Sequence, residues 1–246
     1  MILAGPGSGK TTVVTNRILN MIDNCKVNPE NILVITFTRM AALQMKERFL
    51  KLASESDVHD NAELYDGVTF GTFHSVFFMI LKNAGEYAGY NVITQKAQRA
   101  FIREQLLYYN IPLPSDGEME DDILNDIAKA KGCSESAIFN PTSCENELFE
   151  KIYNEYELFR NQYKYVDFED MMIRTLHMLE SDKESLNLWQ EKYKYIMVDE
   201  FQDVSPVQLR LINMLAQKNR NIFVVGDDDQ SIYGFRGAKP DVCRMF

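Results

Sequence analysis

Cysteine and histidine are scarce in this chain and poorly placed for metal chemistry. Its 246 residues include four cysteines, Cys25, Cys133, Cys144 and Cys243, with no C-x-x-C pair among them. The three histidines, His59, His74 and His177, stand at no zinc-ligand spacing from a cysteine. A structural zinc or an iron–sulfur cluster is not expected, and free thiols in a reducing cytoplasm are the simplest reading. No run reaches the roughly 18–20 consecutive apolar residues of a membrane span, and the N-terminus lacks the basic, apolar and small-residue series of a secretory signal. A cytoplasmic protein without a membrane partner is therefore expected. Positive charge is also in short supply: 26 Lys and Arg face 36 Asp and Glu, a net charge of −10. That balance argues against tight, purely electrostatic binding of nucleic acid. Much of the acid is concentrated between Asp116 and Asp126, so a local groove can still be basic or aromatic.

What is present suits a soluble α/β protein, with 46% hydrophobic and 25% charged residues. Short apolar runs at Met1–Ala4, Ile32–Phe37, Val68–Phe70, Tyr195–Val198 and Ile222–Val225 read as buried strands. Helical periodicity separates them, over Val13–Ile22, Met40–Leu52, Phe73–Leu81 and Pro206–Ala216. Strands alternating with helices predict a parallel sheet. The middle of the chain has almost no β-branched runs. Gln95–Tyr109, Asp121–Ala130 and Glu145–Arg160 carry apolar residues at helical spacing, and Pro112, Pro114 and Gly117 break the pattern between the first two. Residues 1–84 and 164–246 are thus expected to form one α/β core, with residues 85–163 an all-helical insertion and a return to the core near Asp167–Asp170.

Three segments carry chemistry. The first is Ala4-Gly5-Pro6-Gly7-Ser8-Gly9-Lys10-Thr11-Thr12, between a strand and a helix. Glycines let backbone N–H groups turn inward around phosphates, and the helix start adds positive potential. Lys10 can reach the β- and γ-phosphates of a nucleotide and Thr11 can ligate magnesium. The second is Ile196-Met197-Val198-Asp199-Glu200, an apolar strand ending in two carboxylates. Alone, an Asp-Glu after a strand is more often a solvated strand end. Beside a phosphate loop, Asp199 would hold magnesium and Glu200 would orient and deprotonate the attacking water. The third runs from Gly226 through Asp227-Asp228-Asp229-Gln230 to Tyr233-Gly234-Phe235-Arg236. An acidic turn explains the aspartates. It does not explain Gln230, suited to sense a γ-phosphate, nor Tyr233, Phe235 and Arg236, suited to stack on unpaired bases.

Taken in order, these segments resemble motifs I, II and III of superfamily 1 DNA helicases of the UvrD/Rep/PcrA group. Thr36-Phe37-Thr38-Arg39-Met40-Ala41-Ala42, continuing through Met45-Lys46-Glu47-Arg48, resembles motif Ia, and Gly71-Thr72-Phe73-His74-Ser75 resembles motif Ib. The five span nearly the whole chain. The resemblance implies a P-loop NTPase, RecA-like, with a parallel sheet flanked by helices and an inserted helical subdomain. It implies ATP and Mg2+ as cofactors, with Lys10, Glu200 and Gln230 catalytic, and Arg48 near the nucleotide. Phe37, Thr38, Thr72, Phe73 and His74 match positions lining a single-strand track, and Tyr233, Phe235 and Arg236 match the face coupling ATP to DNA.

Some positions depart from the family pattern: Ala4 stands for the first glycine, Thr12 for an arginine after the loop threonine, and Phe235 for a tryptophan. The upstream adenine-reading motif and motifs IV to VI are not in this sequence. The implied function is the N-terminal motor domain of an ATP-dependent 3′–5′ DNA helicase or translocase. It would act on single-stranded or 3′-tailed duplex DNA together with a C-terminal motor domain. Two alternatives stand beside it: the motor part of a RecB/AddA-like helicase–nuclease, and a nucleotide-binding fragment without activity.

Overall fold

A computed structural model describes residues 2–3, 9–55, 62–113, 117–132 and 139–227. The chain forms two compact units, residues 1–80 with 176–246, and residues 81–175.

The first unit is built on a five-stranded sheet. Its strands are β1 (Ile2–Leu3), β2 (Ile32–Thr36), β3 (Thr69–Thr72), β6 (Tyr195–Val198) and β7 (Ile222–Gly226). They are all parallel and lie in the spatial order β1-β7-β6-β2-β3. All five residues of β2 are buried, as befits a central strand covered on both faces. On one face, Ile32 and Val34 pack with Val14, Ile18 and Ile22 of helix α1 (Lys10–Asp23) and with Met45 and Phe49 of α2 (Arg39–Ser54). Alternation turns Leu33 and Ile35 to the other face, where they are equally buried.

Helix α3 (Phe73–Asn83) follows β3, α8 (Lys183–Lys192) precedes β6 and α9 (Pro206–Ala216) joins β6 to β7, while α7 (Phe168–Ser181) runs from the end of residues 81–175 into residues 176–181. Sequence sets their starts. Thr38 accepts the Ala41 N–H at 3.1 Å, Asp182 accepts from Glu184 and Ser185, and Ser205 forms a reciprocal capping box with Gln208. Helix α1 differs, because its N-cap is Gly9 in a left-handed conformation (φ 87°) with no side-chain cap, which leaves its first N–H groups without a side-chain acceptor.

The second unit holds α4 (Gln95–Tyr108), α5 (Glu118–Gly132) and α6 (Asn146–Gln162) around Phe101, Ile102, Leu106, Ile123, Ile127, Ile152 and Tyr156. Two short strands, β4 (Asn91–Val92) and β5 (Tyr165–Val166), pair in parallel within it. The unit also encloses a cluster of charge. Arg160 is fully buried among Glu157, Asp167 and Asp170, and Lys131 contacts the same three carboxylates. Asp167 and Asp170 cap each other's backbone N–H groups at the start of α7. Residues 164–175 group with the helices of this unit, where the β4–β5 pair and the Lys131 and Arg160 cations hold them.

Candidate functional site

A parallel sheet sends the C-terminal ends of all its strands to one edge. Register fixes that here: Leu3 lies beside Gly226, Val198 beside Val224 and Ile35, and Thr36 beside Thr72. Residues scattered over the sequence from Gly9 to Asp227 therefore meet along one line.

At its centre Lys10, the first residue of α1, extends its ammonium between two carboxylates. Nζ lies 3.6 Å from Glu200 Oε2 and 3.8 Å from Asp227 Oδ2. The Lys10 side chain is 10% exposed and that of Asp227 4%, so the charges meet largely out of water. Asp199 closes the group. Its N–H donates to Ile35 O at 3.0 Å, and its Oδ1 accepts the Glu200 N–H at 3.0 Å. Burial pushes the Asp199 carboxyl up to about 6, with the neighbouring Glu200 charge adding to the rise and the Glu200 N–H and Lys10 opposing it. Glu200 turns the chain sharply, with φ 52° and ψ 45°, before the short 3-10 helix Phe201–Asp203. Gln202 then donates to Glu200 Oε2 at 2.9 Å. Asp227 was legible only as part of an acidic turn after a strand; its approach to Lys10 depends on β7 lying next to β1.

Thr11 and Thr12 follow Lys10 in the first turn of α1, half-buried, and their carbonyls accept the Thr15 hydroxyl at 3.0 and 3.1 Å. Magnesium prefers one or two carboxylates together with substrate phosphate oxygens to a cage made wholly of protein. The residues fit that preference. Among the described residues no three His, Cys, Asp or Glu side chains are arranged to hold a metal by themselves, while Asp199 offers a buried oxygen whose ionisation a cation would favour.

The neighbouring strand ends carry the residues expected to line a DNA track. Phe37 is half-buried and Thr38 exposed, just beyond β2. Thr72 ends β3, and its N–H and hydroxyl are engaged with Ser75, Thr72 N–H donating to Ser75 Oγ at 2.8 Å. His74 is half-buried in the first turn of α3. Phe73 departs from expectation. It is 1% exposed, with its ring edge-on to Phe37 at 5.3 Å and stacked on Phe77 at 6.4 Å. Its ring is a buried backing for Phe37, so no base can stack on it. Arg48 is exposed on α2, about 13 Å along the axis from the helix start, and is not among the groups around Lys10. Ala4, Gly5, Pro6, Gly7, Ser8, Gln230, Tyr233, Phe235 and Arg236 lie outside the described residues.

A parallel sheet with a helix-start lysine facing the carboxylates of two further strand ends, preceded in sequence by Ala4-Gly5-Pro6-Gly7-Ser8-Gly9, is the arrangement of an α/β domain of the P-loop class. Over residues 1–246 the sequence matches the family described as UvrD/REP helicase N-terminal domain, and the chain belongs to that family. It is 35% identical over 243 residues to the ATP-dependent DNA helicase PcrA of Staphylococcus aureus, covering 97% of this chain and 32% of that protein. It is 35% identical over 247 residues to PcrA of Leuconostoc citreum, with 97% and 32% covered. The probable DNA helicase II homolog of Mycoplasma capricolum subsp. capricolum is 35% identical over 254 residues, with 100% and 34% covered. The chain spans about a third of the length of these relatives.

Proposed function

We propose that this chain is the ATP-binding motor domain of a DNA helicase or translocase, and that it works in the cytoplasm against a second motor domain to move 3′ to 5′ on single-stranded or 3′-tailed DNA. The observation that supports this most is the Lys10 ammonium held between Glu200 and Asp227 at the strand edge that also carries Phe37, Thr38 and Thr72.

In this reading the resting lysine exchanges its carboxylate partners for the β- and γ-phosphates of ATP. That exchange frees Glu200 to accept the proton of the attacking water. A magnesium ion, bound by Asp199 and Thr11 together with the nucleotide, would supply positive charge to the phosphate oxygens. Gln230 would contact the γ-phosphate. On the DNA side, Phe37 offers the stacking surface, with Tyr233, Phe235 and Arg236 expected to face the same strand. Bulk electrostatics contribute little in a chain of net charge −10.

The experiment compares ATP hydrolysis, with and without single-stranded DNA, for the parent protein and Glu200→Gln. Loss of about 100-fold or more in kcat with nucleotide affinity retained supports the reading. Unchanged hydrolysis sinks it. The 246-residue chain alone is expected to turn over ATP weakly, and robust DNA-stimulated turnover by it would refute the need for a second motor domain.

A further inference from the structure

The amide of Gln202 is buried, 4% exposed, between the ends of β6 and β7. Its Nε2 donates to Glu200 Oε2 at 2.9 Å and lies 3.5 Å from Asp203 Oδ2, while its Oε1 accepts the Asp227 N–H at 2.9 Å. These partners fix the amide's orientation. A carboxylate requires a donor and a backbone N–H requires an acceptor, so a flipped amide would lose both bonds. Space is shaped to the same end. A Cβ at Gly226 would stand 2.8 Å from Gln202 Oε1 and 3.4 Å from the backbone nitrogens of Phe201 and Gln202. Gly226 has no left-handed φ, so what the bridge uses there is the missing side chain.

The geometry points to Gln202 as a positioning residue for hydrolysis: it holds the Glu200 carboxylate and ties its placement to the main chain at Asp227. This rests on the reading of Glu200 as the proton acceptor. The Glu200 side chain is 38% exposed, so without a fixed donor its carboxylate would sample several rotamers in water. A displacement of one ångström at a reacting group is enough to cost about 100-fold in rate. Asp227 leads directly into the sequence holding Gln230. Methionine at 202 would keep the length of the side chain and neither hydrogen bond. Glutamate would set a carboxylate against those of Glu200 and Asp203.

The test uses the ATP-hydrolysing protein that carries this domain, measuring kcat and the affinity for a fluorescent ATP analogue. The variants are Gln202→Met, Gly226→Ala, Glu200→Gln and the Glu200→Gln/Gln202→Met pair. Gln202→Met is expected to lower kcat about tenfold or more while analogue affinity stays within about threefold, a split that general destabilisation would not give. Added to Glu200→Gln, it should cost less than about twofold further, because both act through one carboxylate. Gly226→Ala keeps every polar group and only crowds Oε1, so it should lower kcat in the same direction and serves if Gln202→Met does not fold. The proposal is overturned by a kcat loss well short of tenfold in Gln202→Met, by an affinity loss as large as the kcat loss, or by additive losses in the pair. If Glu200→Gln hydrolyses ATP at close to the parent rate, the underlying reading of Glu200 fails instead. If Glu200→Gln loses about 100-fold in kcat and neither Gln202→Met nor Gly226→Ala is affected, only the role of Gln202 falls.

Discussion

Replacing Asp199 by asparagine should make the resting protein more stable at neutral pH. The carboxyl is 6% exposed and titrates at about 6 against an ordinary 3.8, chiefly because burial disfavours its charged form. A raised carboxyl pKa means that the folded state binds a proton more tightly than the unfolded state. Stability is therefore lost as pH rises from about 4 to about 6 and stays lost above that. Each tenfold difference in ionisation is worth about 1.4 kcal/mol, so the displacement amounts to about 3 kcal/mol at pH 7. Asparagine keeps the Oδ1 that accepts the Glu200 N–H and carries no charge. For a chain of this size 3 kcal/mol corresponds to roughly 6–12 °C in Tm. Thermal melts of parent and variant from pH 4 to pH 8 provide the assay. The variant's advantage should be full above pH 6 and vanish towards pH 4. Magnesium and nucleotide should then reverse the ranking, because the parent gains a cation partner that the variant cannot hold as well. A variant that melts below the parent at pH 7.5 without nucleotide, or an advantage independent of pH, refutes the argument.

Lys10→Met should weaken nucleotide binding about tenfold or more, read by titration with a fluorescent analogue, because a cation facing the phosphates is lost. Phe73→Ala should cost about 3–5 kcal/mol in chemical denaturation, as a fully buried ring does, whereas Phe37→Ala should cost clearly less stability and more DNA affinity in an anisotropy assay. Equal effects of the two on stability would contradict the burial difference. Arg160→Met should destabilise residues 81–175 by about 3 kcal/mol or more, since it leaves buried carboxylates short of a cation. Hydrogen exchange should locate that loss in α5, α6 and the start of α7 and leave the sheet unit unchanged.

The sheet was readable because its evidence is local. Ile32–Thr36 and Tyr195–Val198 are apolar runs of strand length, and the glycines before Lys10 mark a turn into a helix. Helices α4 and α9 announce themselves by period, and the structure adds their caps, Thr94 and Ser205. The pairing of β4 with β5 was not readable: each is two residues long, Asn91 and Val92 are exposed, and the apolar signal of β5 is confined to Tyr165 and Val166. Nor can a linear string say which aromatic of a motif faces inward. Phe37 and Phe73 both sit at strand ends, and only packing on Phe77 decides that Phe73 is the buried one. Asp227 and Gln202 gain their significance from β7 lying between β1 and β6, a relation across more than 200 residues that residue spacing does not encode.

The strand order also bears on how the protein is made. β1 and β2 are made before the other strands of this sheet, yet they are never neighbours: β6 and β7, separated from β2 by more than 150 residues, fill the gap between them. At about 5–20 residues per second, roughly 10–40 s pass between synthesis of β2 and of β7. During that time β2 has only β3 beside it, and its other edge, in a strand apolar from Ile32 to Ile35, is open to pairing with other chains. A sheet completed from its centre last, through pairings of long sequence separation, folds slowly. Truncation before residue 195 should accordingly yield an aggregating product, whereas the helical unit of residues 81–175, whose packing partners are nearer in sequence, is the part able to gain structure while the ribosome is still at work.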